Sequence, residues 1–333
     1  MREKSAPCTT APARGRGPRW DDPPIAGLFD KRILFVTGKG GVGKTSISLA
    51  MGIAAAAEGR RTIVCEVASQ ESAGSLFGRG RVGFNETRLR KDLFAISIDP
   101  DEAIREYLEV QLPVRAMGDL LYRSRIFNYL AAATPGLREM VTVGKIWELA
   151  LSERKTRDAK PYDLVIVDSP ATGHGLGLLQ TPRTFAEIAR RGPMAHQAGV
   201  IDRTLRNPKR AGVVIVALPE EMPVNESATL EDELIDKVGI AVDRIYMNGL
   251  YPERFDAGEQ QALTAALEGD PGAAAPALAA ALDESRRAGA HREQLARLGK
   301  LTRTDISELP FVFSPKLGID GLETLAAGIE AGS

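Results

Sequence analysis

Gly38-Lys39-Gly40-Gly41-Val42-Gly43-Lys44-Thr45 follows directly on the apolar run Ile33-Leu34-Phe35-Val36 and opens an alanine-rich stretch. Apolar run, glycine loop and helix-forming stretch read as strand, loop and helix, and the spacing Gly-x4-Gly-Lys-Thr is that of a phosphate-binding loop. The glycines let the backbone approach phosphates closely, because a Cβ would block the path and the turn needs unusual dihedrals. Loop amides and the helix N-terminus then point at the β-phosphate. In such a loop Lys44 reaches the β/γ-phosphates and the Thr45 hydroxyl ligates Mg²⁺. Gly38, Lys39, Gly40, Gly41, Val42, Gly43 and Ser46 complete the expected nucleotide-binding segment, with ATP or ADP as the ligand.

The rest of the chain repeats the pattern of buried strand and helix. Near-continuous apolar runs at 31–37, 62–67, 93–98, 163–167, 212–217, 244–247 and 311–313 predict parallel strands covered on both faces. Asp99-Pro100-Asp101 is expected to cap a helix carrying Ile104, Tyr107, Leu108 and Leu112 at helical spacing. The expected fold is α/β: a doubly wound, mostly parallel phosphate-loop NTPase core with a helical insertion subdomain. Stretches of about 102–158 and 174–207 carry no strand pattern and read as helical insertions over one edge of that core. Residues 257–300 read as a surface helical hairpin broken near Gly269–Pro271. No internal duplication is present, so 31–330 reads as a single nucleotide-binding unit.

Composition narrows the function by exclusion. A net charge of −1 gives no electrostatic case for a nucleic-acid partner or an anionic membrane. Two cysteines, Cys8 in the tail and Cys65 in an apolar run, suggest neither a disulfide framework nor a zinc site. Residues 1–30 begin basic and Pro/Gly-rich without the apolar stretch of a secretory signal, and read as a disordered tail of a cytoplasmic protein.

The lysine one place after the first glycine sharpens the reading. Lys-Gly-Gly-Val-Gly-Lys-Thr resembles the deviant Walker A loop of the signature-lysine ATPases, which implies that Lys39 reaches across a dimer interface to the partner's nucleotide. The alternative is an ordinary solvated loop lysine. Asp168-Ser169-Pro170-Ala171-Thr172-Gly173-His174-Gly175-Leu176, followed by Leu178-Leu179-Gln180-Thr181-Pro182, resembles the switch II segment of the ArsA/Get-type ATPases, the arsenical-pump and tail-anchored-protein-targeting family. Ile98-Asp99-Pro100, Leu218-Pro219-Glu220-Glu221-Met222-Pro223-Val224-Asn225-Glu226 and Met247-Asn248-Gly249 match further pieces, as does the string around Pro315. The resemblance spans about 31–327 and is strongest to a bacterial subgroup whose genes often occur as paired paralogues. It implies Lys39, Lys44 and Asp168 as catalytic residues, Thr45 and Asp168 at the metal, and Asn248 and the Pro315 loop at adenine. It also implies His174 as a conformational residue of the switch loop. Asp168 could otherwise be a turn or helix cap, and Asn248-Gly249 a plain turn.

One departure stands out. Family members end the second strand in Ser-Thr-Asp-Pro-Ala, where the aspartate orients the attacking water; here Ala68 falls at that place, with Glu66 and Glu71 nearby as substitutes. Alanine can neither hydrogen-bond water nor take a proton, and loss of a general base slows a reaction by about 10²–10⁴-fold. The expected function is therefore an Mg²⁺-ATP-binding ATPase that couples ATP binding and hydrolysis to dimer movement and a partner or client. The alternative is a nucleotide-gated, weakly hydrolysing subunit paired with an active paralogue. The dimer is expected to be homo- or heteromeric. Two cysteines cannot supply an arsenite thiolate triad, and there is no Cys-x-x-Cys to clasp a dimer with zinc. The apolar residues of 115–150, among them Met117, Leu120, Ile126 and Tyr129, are open to two uses: a groove for a membrane-protein client, or the helical layer's own core. A cell-division or partition ATPase shares the loop, but the acidic C-terminal stretch 321–330 has no basic face to bind a membrane.

Overall fold

The computed structural model describes residues 27–67, 72–111, 134, 136–156, 159–189, 192–269 and 272–331. The expectations for residues 1–26 of the tail, for Ala68 and Glu71, and for Met117 to Leu130 lie outside the described residues; Leu28–Asp30, counted with the tail, form a short helical turn with Phe29 buried. Among those described, β1 (Ile33–Thr37) leads through the glycine loop into α1 (Lys44–Ala57). Then come β2 (Thr62–Val67), α2 (Ser72–Leu76), β3 (Thr87–Arg90), β4 (Leu93–Ile98), α3 (Pro100–Gln111) and α4 (Leu137–Leu149). The second half holds β5 (Leu164–Asp168), α5 (Thr172–Ala189), α6 (Pro193–Leu205), β6 (Ala211–Ala217) and α7 (Glu221–Asp232), which runs on into a π-helical turn, Glu233–Val238. It closes with β7 (Val242–Leu250), α8 (Ala257–Glu268), α9 (Ala275–Leu301), β8 (Ile306–Pro310) and α10 (Ile319–Ala331).

The strands form one eight-stranded sheet in the order β3-β4-β2-β5-β1-β6-β7-β8, parallel throughout except for β3, which pairs antiparallel with β4. Alternation along each strand divides the core. Ile33, Phe35, Ile63, Cys65, Val165, Val167, Val213 and Ile215 face the layer formed with α4, α5, α6 and α7. Leu34, Val36, Val64, Ile166, Val214 and Val216 face α1 and α10. The central β1 lies between β5 and β6 with every residue buried. Chain crossovers leave it in both directions, which puts the loop after β1 at the switch point where doubly wound sheets bind ligands.

Several expectations are refined. The inserted helices α4, α5 and α6 bury Val143, Ile146, Leu178, Leu179, Ala198 and Ile201 against a whole face of the sheet, not over its edge. Apolar runs alone miss the two outermost strands. β3 is a four-residue antiparallel edge containing two arginines. The run at 311–313 lies past the last strand, which is Ile306–Pro310; there Ser307 and Leu309 are buried and Glu308 and Pro310 exposed, the alternation of an edge strand. Asp99 does cap α3, its Oδ1 accepting from the amides of Asp101 (2.8 Å) and Glu102 (3.1 Å). The 257–300 hairpin is α8 and α9. No helix among the described residues is long and apolar enough to cross a membrane.

A buried ionic network ties α4 to the sheet below the switch point. The Arg154 side chain is fully buried; its Nε donates to Glu148 Oε1 (2.8 Å) and its Nη2 to Glu86 Oε1 (2.7 Å). The Tyr162 hydroxyl donates to the other Glu86 oxygen at 2.7 Å. Truncation would leave Glu86 without its paired cation and Glu148 with only Lys145 at 3.4 Å, a loss that costs up to about 3–5 kcal/mol. Arg154→Ala is expected to lower unfolding stability by that amount in urea titration. A loss below about 1 kcal/mol, the worth of a surface pair, would show that water already screens the network.

Candidate nucleotide-binding site

Gly38 leaves β1 at φ 145°, and a Cβ there would sit 2.4 Å from the Val216 carbonyl of β6. Only glycine lets the loop turn this close to the neighbouring strand. Gly43, at φ 94°, ends the loop and precedes the first residue of α1. The Lys44 side chain is buried and folds back over the loop, its Nζ donating to the carbonyls of Lys39 (2.9 Å) and Gly38 (3.1 Å). Burial lowers the Lys44 pKa, and the negative charge of Asp168 opposes that shift. Thr45 and Ser46 lie in the first turn of α1, both half-buried.

Asp168 is the last residue of β5. Strand alternation turns its side chain to the α1 face, as with Ile166 two residues earlier. It meets α1 at its start, where the Thr45 hydroxyl donates to Asp168 Oδ2 at 2.6 Å. Among the described residues, Asp168 Oδ1 and the Thr37 hydroxyl at the end of β1 are buried with no hydrogen-bond partner. Burial raises the Asp168 pKa to about 6; the Thr45 hydrogen bond and Lys44 pull it down, and Glu66 pushes it up again. Glu66 pairs in register with Asp168 from β2 and is fully buried, its Oε1 accepting from the Ala73 amide of α2 at 2.9 Å.

These donors fit magnesium. Mg²⁺ dehydrates reluctantly and is held by one or two protein oxygens together with water and phosphate. A hydroxyl on the first turn of α1 with a carboxylate behind it, one carboxylate oxygen uncommitted, is such a set. Among the described residues no group of three His, Cys, Asp or Glu side chains could hold a metal by itself.

Asn248, on β7, comes to the loop from 206 residues away, its Nδ2 donating to the Val42 carbonyl at 2.9 Å. The contact is tight, because a Cβ on Gly43 would lie 2.6 Å from that same nitrogen. Pro315 is exposed on the loop after β8. Two residues before it, Phe313 packs with Phe311 and Tyr251, and Phe311 lies beside Gly249 (3.8 Å from where its Cβ would be). The 168–176 string is a short turn followed by the first turn of α5; His174 is exposed, and Gly175 lies against the Thr37 hydroxyl, which would sit 3.1 Å from a Cβ.

The structure thus gathers Lys44, Thr45, Asp168 and Asn248 around one loop and puts Pro315 on a neighbouring loop beyond β8. It also supplies a residue to which sequence reasoning gave no role. Lys39 Nζ is paired with Glu226 Oε1 of α7 at 2.8 Å. Glu226 stands in the Leu218–Glu226 string, but nothing in its spacing points to a lysine 187 positions earlier.

The family profile described as anion-transporting ATPase matches residues 31–197, from β1 through the start of α6. The ATPase BagA of Mycobacterium tuberculosis is 28% identical over 248 residues, covering 73% of this chain and 71% of its own length. The arsenical pump-driving ATPases of Acidiphilium multivorum and Escherichia coli are 29% and 28% identical over 261 residues, covering 70% of this chain and 42% of theirs.

The raised Asp168 pKa fixes a pH dependence. Between an unfolded value of 3.8 and a folded value of about 6, the folded protein holds the proton more tightly. Stability therefore falls as pH rises through this window, by an amount on the order of 3 kcal/mol. In nucleotide-free protein with chelator, Asp168→Asn is expected to be more stable than the parent at pH 7 and to lose that advantage by about pH 4, read by urea denaturation. A difference independent of pH would show that Asp168 titrates normally.

Proposed function

The chain belongs to the anion-transporting ATPase family, and from that premise we propose that it is an Mg²⁺-ATP-dependent ATPase whose dimer opens and closes with nucleotide state to drive a partner. The observation that carries this reading is the assembly of Lys44, Thr45 and Asp168 where the glycine loop leaves β1, with Lys39 beside it. The loop amides and Lys44 hold the β- and γ-phosphates. Thr45 and Asp168 hold Mg²⁺, which neutralises charge on the phosphate oxygens when bound. Asp168 sits four residues before α5, so its position is tied to the turn 169–171 and the exposed His174 that follow. That link lets the nucleotide state move a surface segment. Asn248, already seated against Val42, reads adenine, with the Pro315 loop closing beside the base. Lys39 serves the partner protomer's phosphates across the interface. The partner protomer is a second copy or a paralogue, the protein works in the cytoplasm, and a membrane-protein client or membrane partner is its target.

A second reading has its own support. Ala68 stands where the family's water-orienting aspartate is expected. Glu66, one of the two nearby substitutes, is fully buried and already bonded to Ala73, an arrangement that favours holding α2 over activating water. Binding and positioning residues are complete while the hydrolytic carboxylate is missing, which suits a nucleotide-gated subunit that turns over slowly beside an active paralogue.

Equilibrium nucleotide binding and phosphate release test both. Lys44→Ala is expected to weaken ATP binding by at least about 100-fold, the loss of a charge-assisted phosphate contact and its neighbours. Retained micromolar affinity would overturn the nucleotide site. Lys39→Ala is expected to bind ATP like the parent yet fail to form the ATP-dependent dimer, and an unchanged dimer would remove the trans-acting lysine.

Ala68→Asp separates the two readings. A gain in phosphate release of about 10²-fold or more, the lower range for a restored base, would favour the gated subunit. Brisk release by the parent, unchanged or harmed by the substitution, would favour a self-sufficient ATPase.

A further inference from the structure

We propose that Glu226 is a positioning residue that holds Lys39 within its own protomer before nucleotide binds, and so sets how much ATP is needed to turn that lysine toward the partner. The proposal rests on the trans-lysine reading of Lys39.

The two ends of this contact differ in rigidity. Glu226 sits on α7, which is fixed on three sides. Val224 and Leu230 bury its inner face in the core. Arg297 of α9 donates to Asn225 Oδ1 at 2.9 Å, and buried Glu231 accepts from the amides of Arg303 (3.0 Å) and Thr304 (2.8 Å). Lys39, by contrast, extends from a loop in which Gly40 and Gly41 meet no neighbouring atom where a Cβ would stand. A fixed carboxylate therefore selects one position of a movable amine.

The strength of the contact suits a latch that can be released. The lysine side chain is 32% exposed and the glutamate 37%, so water and salt screen the pair. Pairs of this exposure contribute little, equivalent to a shift of about two- to five-fold in an equilibrium. A buried pair would hold the lysine permanently, and no pair at all would leave it among many rotamers. Lys39 also lines one cleft with Glu220 and Glu221, the latter paired with Arg297 at 3.5 Å, and the amine stays with Glu226 until a more negative site competes. The phosphates of a partner's ATP supply such a site. Release from Glu226 then becomes one of the costs of closure, and a ligand shifts the closed state only by its excess affinity over that cost.

Glu226→Gln keeps the shape and an acceptor oxygen but removes the charge. Two readouts on the full chain test it. In nucleotide-free protein, pulse acylation read by mass spectrometry is expected to label Lys39 about two- to five-fold faster in the variant, because the amine is no longer held against a charged carboxylate. With a hydrolysis-resistant ATP analogue, sedimentation is expected to show half-maximal dimer at about two- to five-fold less nucleotide, a gain that disappears when Lys39→Ala is added. Unchanged labelling would overturn the resting contact. A higher nucleotide requirement, an unchanged one, or a gain that persists without Lys39 would each overturn the latch. If Lys39→Ala dimerises as the parent does, the trans-lysine reading itself fails; faster labelling in Glu226→Gln would then leave a resting ion pair without the gating role.

Discussion

The hydrogen bond from Thr45 to Asp168 is the contact on which the site depends. It joins the start of α1 to the end of β5, and those two elements flank the glycine loop that follows β1. Each partner is placed by a different rule. Thr45 follows Lys44 at the beginning of a helix whose N-terminus is already suited to anions. Asp168 faces α1 because the strand's alternation buries Val167 on the opposite side. Burying a carboxylate is unfavourable, and its pKa rises to about 6 as a result. An ionised Asp168 needs compensation, and a divalent cation shared with Thr45 supplies more of it than a hydroxyl and a half-withdrawn lysine can. Mg²⁺ held there as proposed would offset the same desolvation that raises the Asp168 pKa.

Around that contact the loop is held by its carbonyls as well as its amides. Lys44 donates to Gly38 and Lys39, and Asn248 donates to Val42, so three loop carbonyls are engaged before any ligand arrives. This pre-organisation spares nucleotide binding the cost of ordering a glycine-rich segment. It also leaves Lys39 as the one loop side chain directed elsewhere. Its partner Glu226 belongs to the helix after β6, the strand on the far side of β1 from Asp168. The Asp168 side and the Lys39 side of the loop are therefore anchored to elements on opposite sides of β1.

Much of this was legible in the sequence, and the reasons are local. The strand–loop–helix at 33–57 and Asp168 at the end of an apolar run could be read because each is a short, contiguous pattern with a physical requirement behind it. The glycine at 38 is needed where a Cβ would strike Val216, and the switch-point location follows from strand order. What could not be read depends on long-range placement. β8 alternates Ser307 and Leu309 with exposed neighbours, so its apolar content is too low for a run-based criterion, while Phe311 and Phe313 are apolar yet pack beyond the strand with Tyr251. The face covered by α4, α5 and α6 is set by which side of the sheet the crossovers take, which composition does not encode. The Lys39–Glu226 pair joins residues 187 positions apart, and no local pattern identifies either as the other's partner.

The division between a complete binding apparatus and a substituted hydrolytic position has a structural logic. The loop and helix start that the proposed function gives to phosphate follow β1, and Asp168 ends the adjacent β5, both strands fully buried. In sequence Ala68 follows β2, the strand that pairs with β5 on the side away from β1. Glu66, next to last in β2, accepts from the Ala73 amide and so ties α2 to that strand. Under the gated-subunit reading, a missing water-orienting carboxylate would slow γ-phosphate release and lengthen the nucleotide-bound conformation. In that reading the output would be a conformation rather than a product, and a slow step after tight binding would lengthen the state that delivers it.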